Sequence, residues 1–415
     1  MEVRVSAVCR KRDLTLSRCW TLLFGMRTLL CIGAMSAILV AHAAAQESAP
    51  DLSEPASAQG PAQPPIRLVQ KEMMITAPQA FPNGLDAVEV YVDRPGRHPL
   101  VVLTHGTSDK PEDRMHVTPW AQVGQAQWFA RRGYVAIVVV RRGYGRSGGQ
   151  QDSMNGGCGT SRGSFAETGE ASADDLRAVM KFAQGLPEVD ADSMVSVGVS
   201  TGGFAQVALS ADPPKGLKAA ISFAGGRGGD GHEHNCNLGG LIDAFREFGR
   251  SAHKHGDLPM LWIYSQNDHW FTPAMAQQFD AAYKKGGALD QFVMAPPDGE
   301  DGHHLYTHVN AWSDTVAAFL KAQNLMPLGD TVLPAPTPPN VPMPATLGDA
   351  AKDMWRRFLL APPFKTLVAD ENGELSLSAA AFDQSLADSS ALDRCKKRPG
   401  GGKHCSIVAK TPGMK

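Results

Sequence analysis

Short apolar runs recur along most of the chain and are separated by longer stretches with helical periodicity. Eight runs predict strands, at 73–76, 88–92, 100–104, 135–140, 194–199, 219–223, 260–264 and 291–294. The first two alternate with polar residues and suit an antiparallel edge, whereas the others are nearly continuous and suit strands buried on both faces. Helices are predicted at 121–132, 171–184, 204–210, 241–254, 274–285 and 309–321. Alternating strands and helices predict an α/β fold with a mostly parallel central sheet flanked by helices.

Composition divides the rest of the chain. Residues 46–68 are rich in Pro, Ala, Gln and Ser and predict a flexible segment before the main domain at 69–323. Crowded prolines in 324–347 exclude helix and sheet and predict a semi-rigid linker. Beyond it, 348–415 predicts a small α+β module with a hairpin turn at Asn372-Gly373 and a helix over 379–392.

The N-terminal 45 residues have the pattern of a secretory signal. Basic residues precede an apolar run at 28–40 and a small-residue site at 41–45. The run is shorter than the roughly 20 residues that span a bilayer as a helix. We therefore expect cleavage of 1–45, no stable membrane span afterwards, and a secreted or periplasmic protein. Both Met1 and Met26 remain open as the translation start.

The predicted signal contains three of the seven cysteines and leaves Cys158, Cys236, Cys395 and Cys405. An even number in an exported chain implies disulfides, with three possible connectivities. Cys395 and Cys405 are close in a Gly- and Lys-rich loop and are expected to pair, which leaves Cys158 with Cys236. The second bridge would join the loops 150–170 and 225–257, either as a lid over a site or as a staple for stability.

Charge and spacing exclude several classes of function. The 415 residues carry a net charge of −2, with 43% hydrophobic and 20% charged residues, so the chain can bury a large core and has no signature of nucleic-acid binding. No cysteine spacing matches a zinc site, and His232-Glu233-His234 lacks a third partner. We expect neither a metal nor an organic cofactor.

Gly198-Val199-Ser200-Thr201-Gly202 is the motif with the clearest chemistry. It follows the apolar strand at 194–199 and precedes the helical stretch at 204–210. Strand, tight turn and helix are the context in which G-x-S-x-G exposes a serine nucleophile. A serine hydroxyl is weakly nucleophilic and needs a general base beside it. Ser200 is therefore the candidate nucleophile.

The partners of this serine are expected in the order acid, then histidine. Asp268 follows the strand at 260–264, and His303 follows the strand at 291–294, with His304 as the alternative base and Asp301 as the reserve acid. All stand after strands whose carboxyl ends gather at one sheet edge.

Backbone donors for the oxyanion of such a site are expected at two threonines. The N–H groups of Thr107, which follows the strand at 100–104, and of Thr201 are the candidates. His105 is expected to brace its loop, and Tyr144, Trp270 and Phe271 are candidate lining or core residues.

At these positions the chain resembles the α/β-hydrolase superfamily, in particular its dienelactone hydrolase-like and prolyl oligopeptidase-like esterase branch. The matching pieces are Thr104-His105-Gly106, Arg142-Gly143-Tyr144-Gly145-Arg146-Ser147, the run from Asp174-Asp175 through Asp190 to Gly203, Asn267-Asp268 and Asp301-Gly302-His303. The resemblance implies a Ser200, Asp268 and His303 triad. Dienelactone hydrolases use cysteine where this chain has Ser200, so the dienelactone substrate does not follow.

The sequence thus predicts an exported serine hydrolase, a carboxylesterase acting on a small-molecule ester through an acyl-enzyme. One alternative is a small prolyl oligopeptidase-like exopeptidase. Another is a non-catalytic envelope-binding protein whose working part is the C-terminal module, which resembles small Cys-bearing modules at the ends of secreted bacterial proteins through Cys395 and the segment 405–409.

Overall fold

The structure is a computed structural model that describes residues 67–151, 158, 164–398 and 404–411. The predicted signal peptide and the predicted flexible segment up to residue 66 lie outside these residues. No helix in the described ranges is both long and apolar enough to cross a membrane.

The central sheet has eight strands in the order β1-β2-β4-β3-β5-β6-β7-β8. β1 and β2 are antiparallel to each other, β2 is antiparallel to β4, and the other neighbours are parallel. Each predicted strand is present, with β1 beginning earlier, at Leu68, and β5 beginning earlier, at Val189. The strands are β1 (Leu68–Ile75), β2 (Leu85–Val92), β3 (His98–Thr104), β4 (Val135–Val139), β5 (Val189–Val199), β6 (Leu217–Phe223), β7 (Met260–Ser265) and β8 (Gln291–Ala295).

Helices cover both faces of this sheet because its strands are apolar on both sides. Leu100 and Val102 of β3 belong to one buried cluster, and Val101 and Leu103 belong to the other. In chain order the first helices are α1 (Pro111–Arg114), α2 (Val123–Ala130), α3 (Phe165–Ala183) and α4 (Thr201–Ala211), followed by α5 (Leu238–His255), α6 (Pro273–Gly286) and α7 (Val309–Ala322). The first cluster holds residues of α3, α4, α5 and α6, and the second holds residues of α2 and α7. This arrangement confirms the predicted α/β-hydrolase fold.

Helix α3 begins six residues before its predicted start. Ser164 accepts a hydrogen bond from the Glu167 N–H at 3.2 Å, and the Glu167 carboxylate accepts one from the Ser164 N–H at 2.6 Å. This reciprocal capping box satisfies two backbone donors that would otherwise have no partner. The Gly-rich composition upstream hid this start, although the Ser-x-x-Glu signal was present in the sequence.

The C-terminal part forms a small α+β module, as the sequence predicts. Strands β9 (Lys365–Asp370), β10 (Leu375–Ser378) and β11 (Cys405–Thr411) make an antiparallel sheet in the order β10-β9-β11, preceded by α8 (Lys352–Leu360). Helix α9 (Gln384–Lys397) is shifted from the predicted 379–392, because Asp383 caps it by accepting the Leu386 N–H. Cys395 therefore lies in α9 and Cys405 in β11, rather than both in a loop.

One buried carboxyl in the main sheet has no obvious compensation. Glu89 of β2 is fully buried, and neither of its carboxylate oxygens accepts a hydrogen bond from the described residues. Burial, together with the neighbouring Glu188 carboxylate, raises the pKa of Glu89 to about 8, against a smaller opposing effect of Lys71. The folded protein therefore holds this proton more tightly than the unfolded chain does.

This proton makes stability pH-dependent in a defined direction. Because the folded-state pKa of Glu89 lies above its ordinary value, protonated Glu89 contributes fully to the free energy of unfolding at low pH. This contribution is lost as the pH rises through about 8. Glu89→Gln should therefore raise Tm relative to the parent by an amount that grows between about pH 5.5 and about pH 9. Thermal unfolding followed by circular dichroism checks this, with the exposed Glu247→Gln as control. A Glu89→Gln difference that shrinks with rising pH would contradict it.

Candidate active site

Ser200 stands in a strained turn between β5 and α4. Its backbone angles are φ 57° and ψ −120°, a conformation that side chains with a Cβ rarely adopt and that costs about 1–3 kcal/mol. The Ser200 N–H donates to the Phe223 carbonyl at 2.9 Å, and the Ser200 carbonyl accepts from the Phe204 N–H at 2.9 Å. The turn is therefore held by the neighbouring strand β6 and by the first turn of α4.

Glycines let other backbone segments approach this turn. A Cβ on Gly198 would lie 2.1 Å from the Gly202 carbonyl oxygen, and one on Gly202 would lie 2.5 Å from the His105 carbonyl oxygen. A Cβ on Gly106 would lie 2.9 Å from the Ser200 Cβ. The segment that follows β3 thus passes directly against the candidate nucleophile, at a distance that only glycine allows.

Asp268 and His303 are brought together although they are far apart in the sequence. The His303 Nδ1 lies 3.1 Å from both carboxylate oxygens of Asp268. Asp268 is buried, with 1% of its surface exposed. Asp268 Oδ1 also accepts the N–H groups of Trp270 and Phe271, each at 2.8 Å. Donation from Nδ1 to this carboxylate fixes the neutral tautomer in which Nε2 can accept a proton.

The position of the imidazole is set by its own short helix. His303 lies in a 3₁₀ turn at Gly302–Thr307, and Asp301 caps this turn by accepting the His303 N–H at 2.9 Å. A Cβ on Gly302 would lie 2.3 Å from Ser265 Oγ at the end of β7. Asp301 is therefore engaged with backbone donors, and its carboxylate also accepts the His269 N–H at 3.1 Å. His304, the alternative base, is exposed.

Two aromatic rings that follow Asp268 surround the imidazole. Trp270 stacks on His303 with ring centroids 5.2 Å apart and planes inclined by 24°, and Phe271 is tilted against it at 5.6 Å. The sequence suggested both as lining or core residues, and it gave no signal of the stacking. The rings restrict the orientation of the imidazole and keep water from one of its faces.

Thr107 and Thr201, the predicted oxyanion donors, lie side by side. Their hydroxyl oxygens are 2.8 Å apart, and the Thr107 hydroxyl is also 2.8 Å from the Tyr144 hydroxyl. Among the described residues, neither backbone N–H donates to another backbone oxygen in a loop or turn. Thr201 is the first residue of α4, where the helix dipole adds positive potential. Both N–H groups therefore remain candidates for binding an anionic oxygen, and this role stays a prediction.

His105 has both ring nitrogens occupied within the protein. Its Nε2 accepts the Arg141 N–H at 3.0 Å, and its Nδ1 contacts the carbonyl oxygen of Gly106. The ring thus ties the segment after β3 to the end of β4. This arrangement agrees with the bracing part that the sequence indicated for His105.

Ser200 and His303 line one cavity of about 400 Å³. Its other described lining residues are Gly106, Thr107, Ser108, Asp109, Val199, Trp270, His304, Tyr306 and Thr307. Burial raises the pKa of Tyr306 well above the ordinary value, so its phenol stays protonated. Burial thereby excludes Tyr306 as a base, and His303 stays the predicted base for Ser200.

A disulfide joins two loops of the main domain. Cys158 and Cys236 are bonded, with Cα atoms 5.4 Å apart, and so are Cys395 and Cys405 in the C-terminal module, with Cα atoms 6.2 Å apart. The loop that leads to Cys236 packs its Gly226 and Gly229 against Phe271 and the Trp270 backbone. Residues 152–157 and 159–163 lie outside the described ranges, so the lid hypothesis stays a prediction.

No group of three or more His, Cys, Asp or Glu side chains suited to a metal ion occurs among the described residues. His232 and His234, which the sequence analysis set aside as ligands, flank a loop in which Asp230 accepts their backbone N–H groups.

Comparison with known proteins bears on the class of this site. Residues 86–247 match the profile of the X-Pro dipeptidyl-peptidase (S15) family. The resemblance to the α/β-hydrolase superfamily is confirmed. Comparison with curated proteins finds no significant match.

Solved structures that resemble part of this chain include two esterases and a candidate dienelactone hydrolase. The esterase from Pyrococcus furiosus is 16% identical over 62% of this chain and 93% of its own, with a TM-score of 0.42. Esterase 2 from Thermogutta terrifontis is 17% identical over 62% and 93%, also at 0.42. The candidate dienelactone hydrolase from Klebsiella pneumoniae is 18% identical over 61% and 99%, at 0.43.

Gly106→Ala should impair the nucleophile without unfolding the protein. The added methyl group would lie 2.9 Å from Ser200 Cβ, so the serine or the loop must shift, and small misplacements of reacting groups cost on the order of 100-fold in rate. The second-order rate of labelling by a fluorophosphonate probe measures this. Gly124→Ala in α2 is the matched control, since its Cβ would meet nothing within 4 Å. Equal labelling rates in the two variants would contradict the close approach.

Proposed function

We propose that this protein is an exported serine hydrolase that cleaves carboxylic esters of small molecules through an acyl-enzyme. Ser200 attacks the carbonyl carbon, and His303 Nε2 takes the serine proton and later returns one to the leaving group. Asp268 holds the imidazole and stabilises its protonated form. The backbone N–H groups of Thr107 and Thr201 bind the oxyanion of each tetrahedral intermediate.

The observation that carries this proposal is the buried pair of Asp268 and His303, whose imidazole lines the same cavity as the strained Ser200. Asp268 accepts two backbone N–H groups besides the imidazole, and these hydrogen bonds hold its carboxylate beside the His303 ring. A surface histidine would lack the buried carboxylate partner, and a solvated serine would lack the strained turn. The S15 match, which ends at residue 247, adds support for the hydrolase class and for the segment that contains Ser200.

A dipeptidyl-peptidase is the second candidate, and the S15 match favours it. Such an enzyme must bind the ammonium group of a peptide substrate. Asp109 is the one carboxylate among the described residues that line the cavity, and it is exposed at the rim. An ester substrate has no such group and makes no use of this charge.

Export is supported by the two disulfides, which persist in oxidising compartments, and by the signal-like N-terminus. Expression from the native start followed by intact-mass measurement tests it, with Gln46 as the expected first residue. A binding partner in the envelope for the C-terminal module stays a prediction.

Ser200→Ala tests the nucleophile. The variant should lose fluorophosphonate labelling and reduce hydrolysis of p-nitrophenyl butyrate at least about 1000-fold, because it lacks the hydroxyl that would form the acyl-enzyme. Ser251→Ala, a serine in α5 away from the cavity, should label like the parent. Circular dichroism confirms that both variants are folded. Labelling that survives in Ser200→Ala would refute the proposal.

Two measurements distinguish the candidate activities, namely the relative turnover of ester and anilide substrates and the effect of Asp109→Asn on the kinetics. We expect turnover of p-nitrophenyl acetate and butyrate to exceed that of Ala-Pro and Gly-Pro anilides, and Asp109→Asn to leave ester kinetics unchanged. Efficient anilide cleavage by the parent, with KM raised about tenfold or more in Asp109→Asn, would instead establish the peptidase.

A further inference from the structure

Arg141 is a fully buried cation next to the predicted oxyanion hole. It lies two residues after the end of β4, beside Thr104, the last residue of the parallel neighbour β3. Its exposed fraction is 0%. Burying a guanidinium away from water is costly unless hydrogen bonds and a counter-charge compensate, so its partners decide what it can do.

Within the described ranges, the hydrogen-bond partners of the guanidinium all belong to the two segments that frame Ser200. Nη2 donates to the Thr201 hydroxyl at 2.8 Å and to the Thr107 hydroxyl at 3.4 Å. Nη1 donates to the Thr104 hydroxyl at 3.1 Å and to the His105 carbonyl oxygen. One side chain thus links the end of β3 with the start of α4.

All of these partners are uncharged. Among the described residues, none of the groups that accept from Arg141 is a carboxylate, and its Nε has no partner. The Tyr144 ring lies 5.4 Å from the guanidinium carbon and contributes only its π electrons. No carboxylate among the residues that the structure describes pairs with this positive charge, and in a buried environment its field is weakly screened.

We propose that Arg141 is a positioning residue for the predicted oxyanion hole. Its charge also adds positive potential there. The inference rests on the proposed function. The guanidinium fixes the hydroxyls of Thr107 and Thr201, and with them the backbone N–H groups of the same residues. Its unpaired charge favours the anion that forms beside those N–H groups.

The charge matters at one step of the reaction. As the bond between Ser200 Oγ and the carbonyl carbon forms, the π electron pair moves to the carbonyl oxygen and the serine proton goes to His303 Nε2. The oxyanion develops at the N–H groups of Thr107 and Thr201, whereas the bound ester is neutral. Arg141 gives up no proton, and its effect should appear in the transition state rather than in substrate binding.

Three variants test this inference with p-nitrophenyl butyrate as substrate. Arg141→Met keeps the length of the side chain without its charge, and Arg141→Lys keeps the charge without the fork of donors. Arg132→Met is the control, because Arg132 stacks over Trp128 with its guanidinium carbon 3.7 Å from the ring. It precedes β4, at the sheet edge opposite the carboxyl ends of the parallel strands where Ser200 lies. Kinetic constants are measured together with inhibition by butylboronic acid, which binds the serine as a tetrahedral anion.

Arg141→Met should lower kcat about 10- to 100-fold with KM within about twofold, and it should weaken boronate binding by the same factor. Arg141→Lys should recover part of both losses, and Arg132→Met should match the parent. A raised KM with unchanged kcat, or a fall in kcat with unchanged boronate affinity, would overturn the inference. If the variant merely loses folded protein, apparent kcat falls while the boronate affinity of the remaining active molecules stays that of the parent.

Two further measurements keep the outcome decisive. If Arg141→Met does not fold, Thr201→Val removes a hydroxyl that Arg141 contacts but keeps the backbone N–H, and it should lower kcat and boronate affinity severalfold. Unchanged constants in that variant would overturn the inference. If the parent fails to react with a fluorophosphonate at Ser200, the proposed function is wrong and the inference falls with it. If the parent reacts and the Arg141 variants equal it, the inference alone is wrong.

Discussion

The arrangement of the site depends on one backbone constraint, the strained positive-φ conformation of Ser200 at the end of β5. A residue with φ 57° persists only where its surroundings determine it, and here those surroundings are β6, the first turn of α4 and the segment after β3. Backbone hydrogen bonds join Ser200 to Phe223 and Phe204, and Gly106 packs against the Ser200 side chain. Gly202 packs against the His105 carbonyl in the segment after β3. The candidate oxyanion donors lie on the same segments, so the constraint sets their place as well.

The other half of the site reaches the serine from different strands. Asp268 follows β7 and His303 follows β8, and the capped 3₁₀ turn and the Trp270 ring hold the imidazole. In a parallel sheet, carboxyl ends of strands gather at one edge, and that topology lets residues distant in the chain share one cavity. A large apolar core on both faces of the sheet makes this edge rigid.

The sequence was sufficient for the strands and for the pairing of Asp268 with His303. The strands could be predicted because buried parallel strands are continuous apolar runs. The pair could be predicted because the acid precedes the histidine in the chain order of such sites. Local boundaries were less certain: α9 begins at Gln384 because Asp383 caps it, a choice between several polar residues that periodicity does not make. The roles of Ser200, Thr107 and Thr201 stay predictions.

Tertiary contacts had no local signal at all. The stacking of Trp270 on His303 and the burial of Arg141 beneath two threonines depend on segments that meet only in the folded chain. Arg141 stands beside Arg142 in the sequence, yet Arg142 forms an ion pair with Asp175 at 2.8 Å, whereas Arg141 has only neutral acceptors among the described residues. Identical neighbours thus have different electrostatic roles, which composition does not reveal.

The most direct test of this account is a crystal structure of the protein after reaction with a phosphonate ester. The account predicts phosphorus bonded to Ser200 Oγ, the phosphoryl oxygen within hydrogen-bond distance of the Thr107 and Thr201 N–H groups, and the His303 Nε2 beside Ser200 Oγ. An adduct on another residue, or a phosphoryl oxygen turned away from both N–H groups, would contradict it.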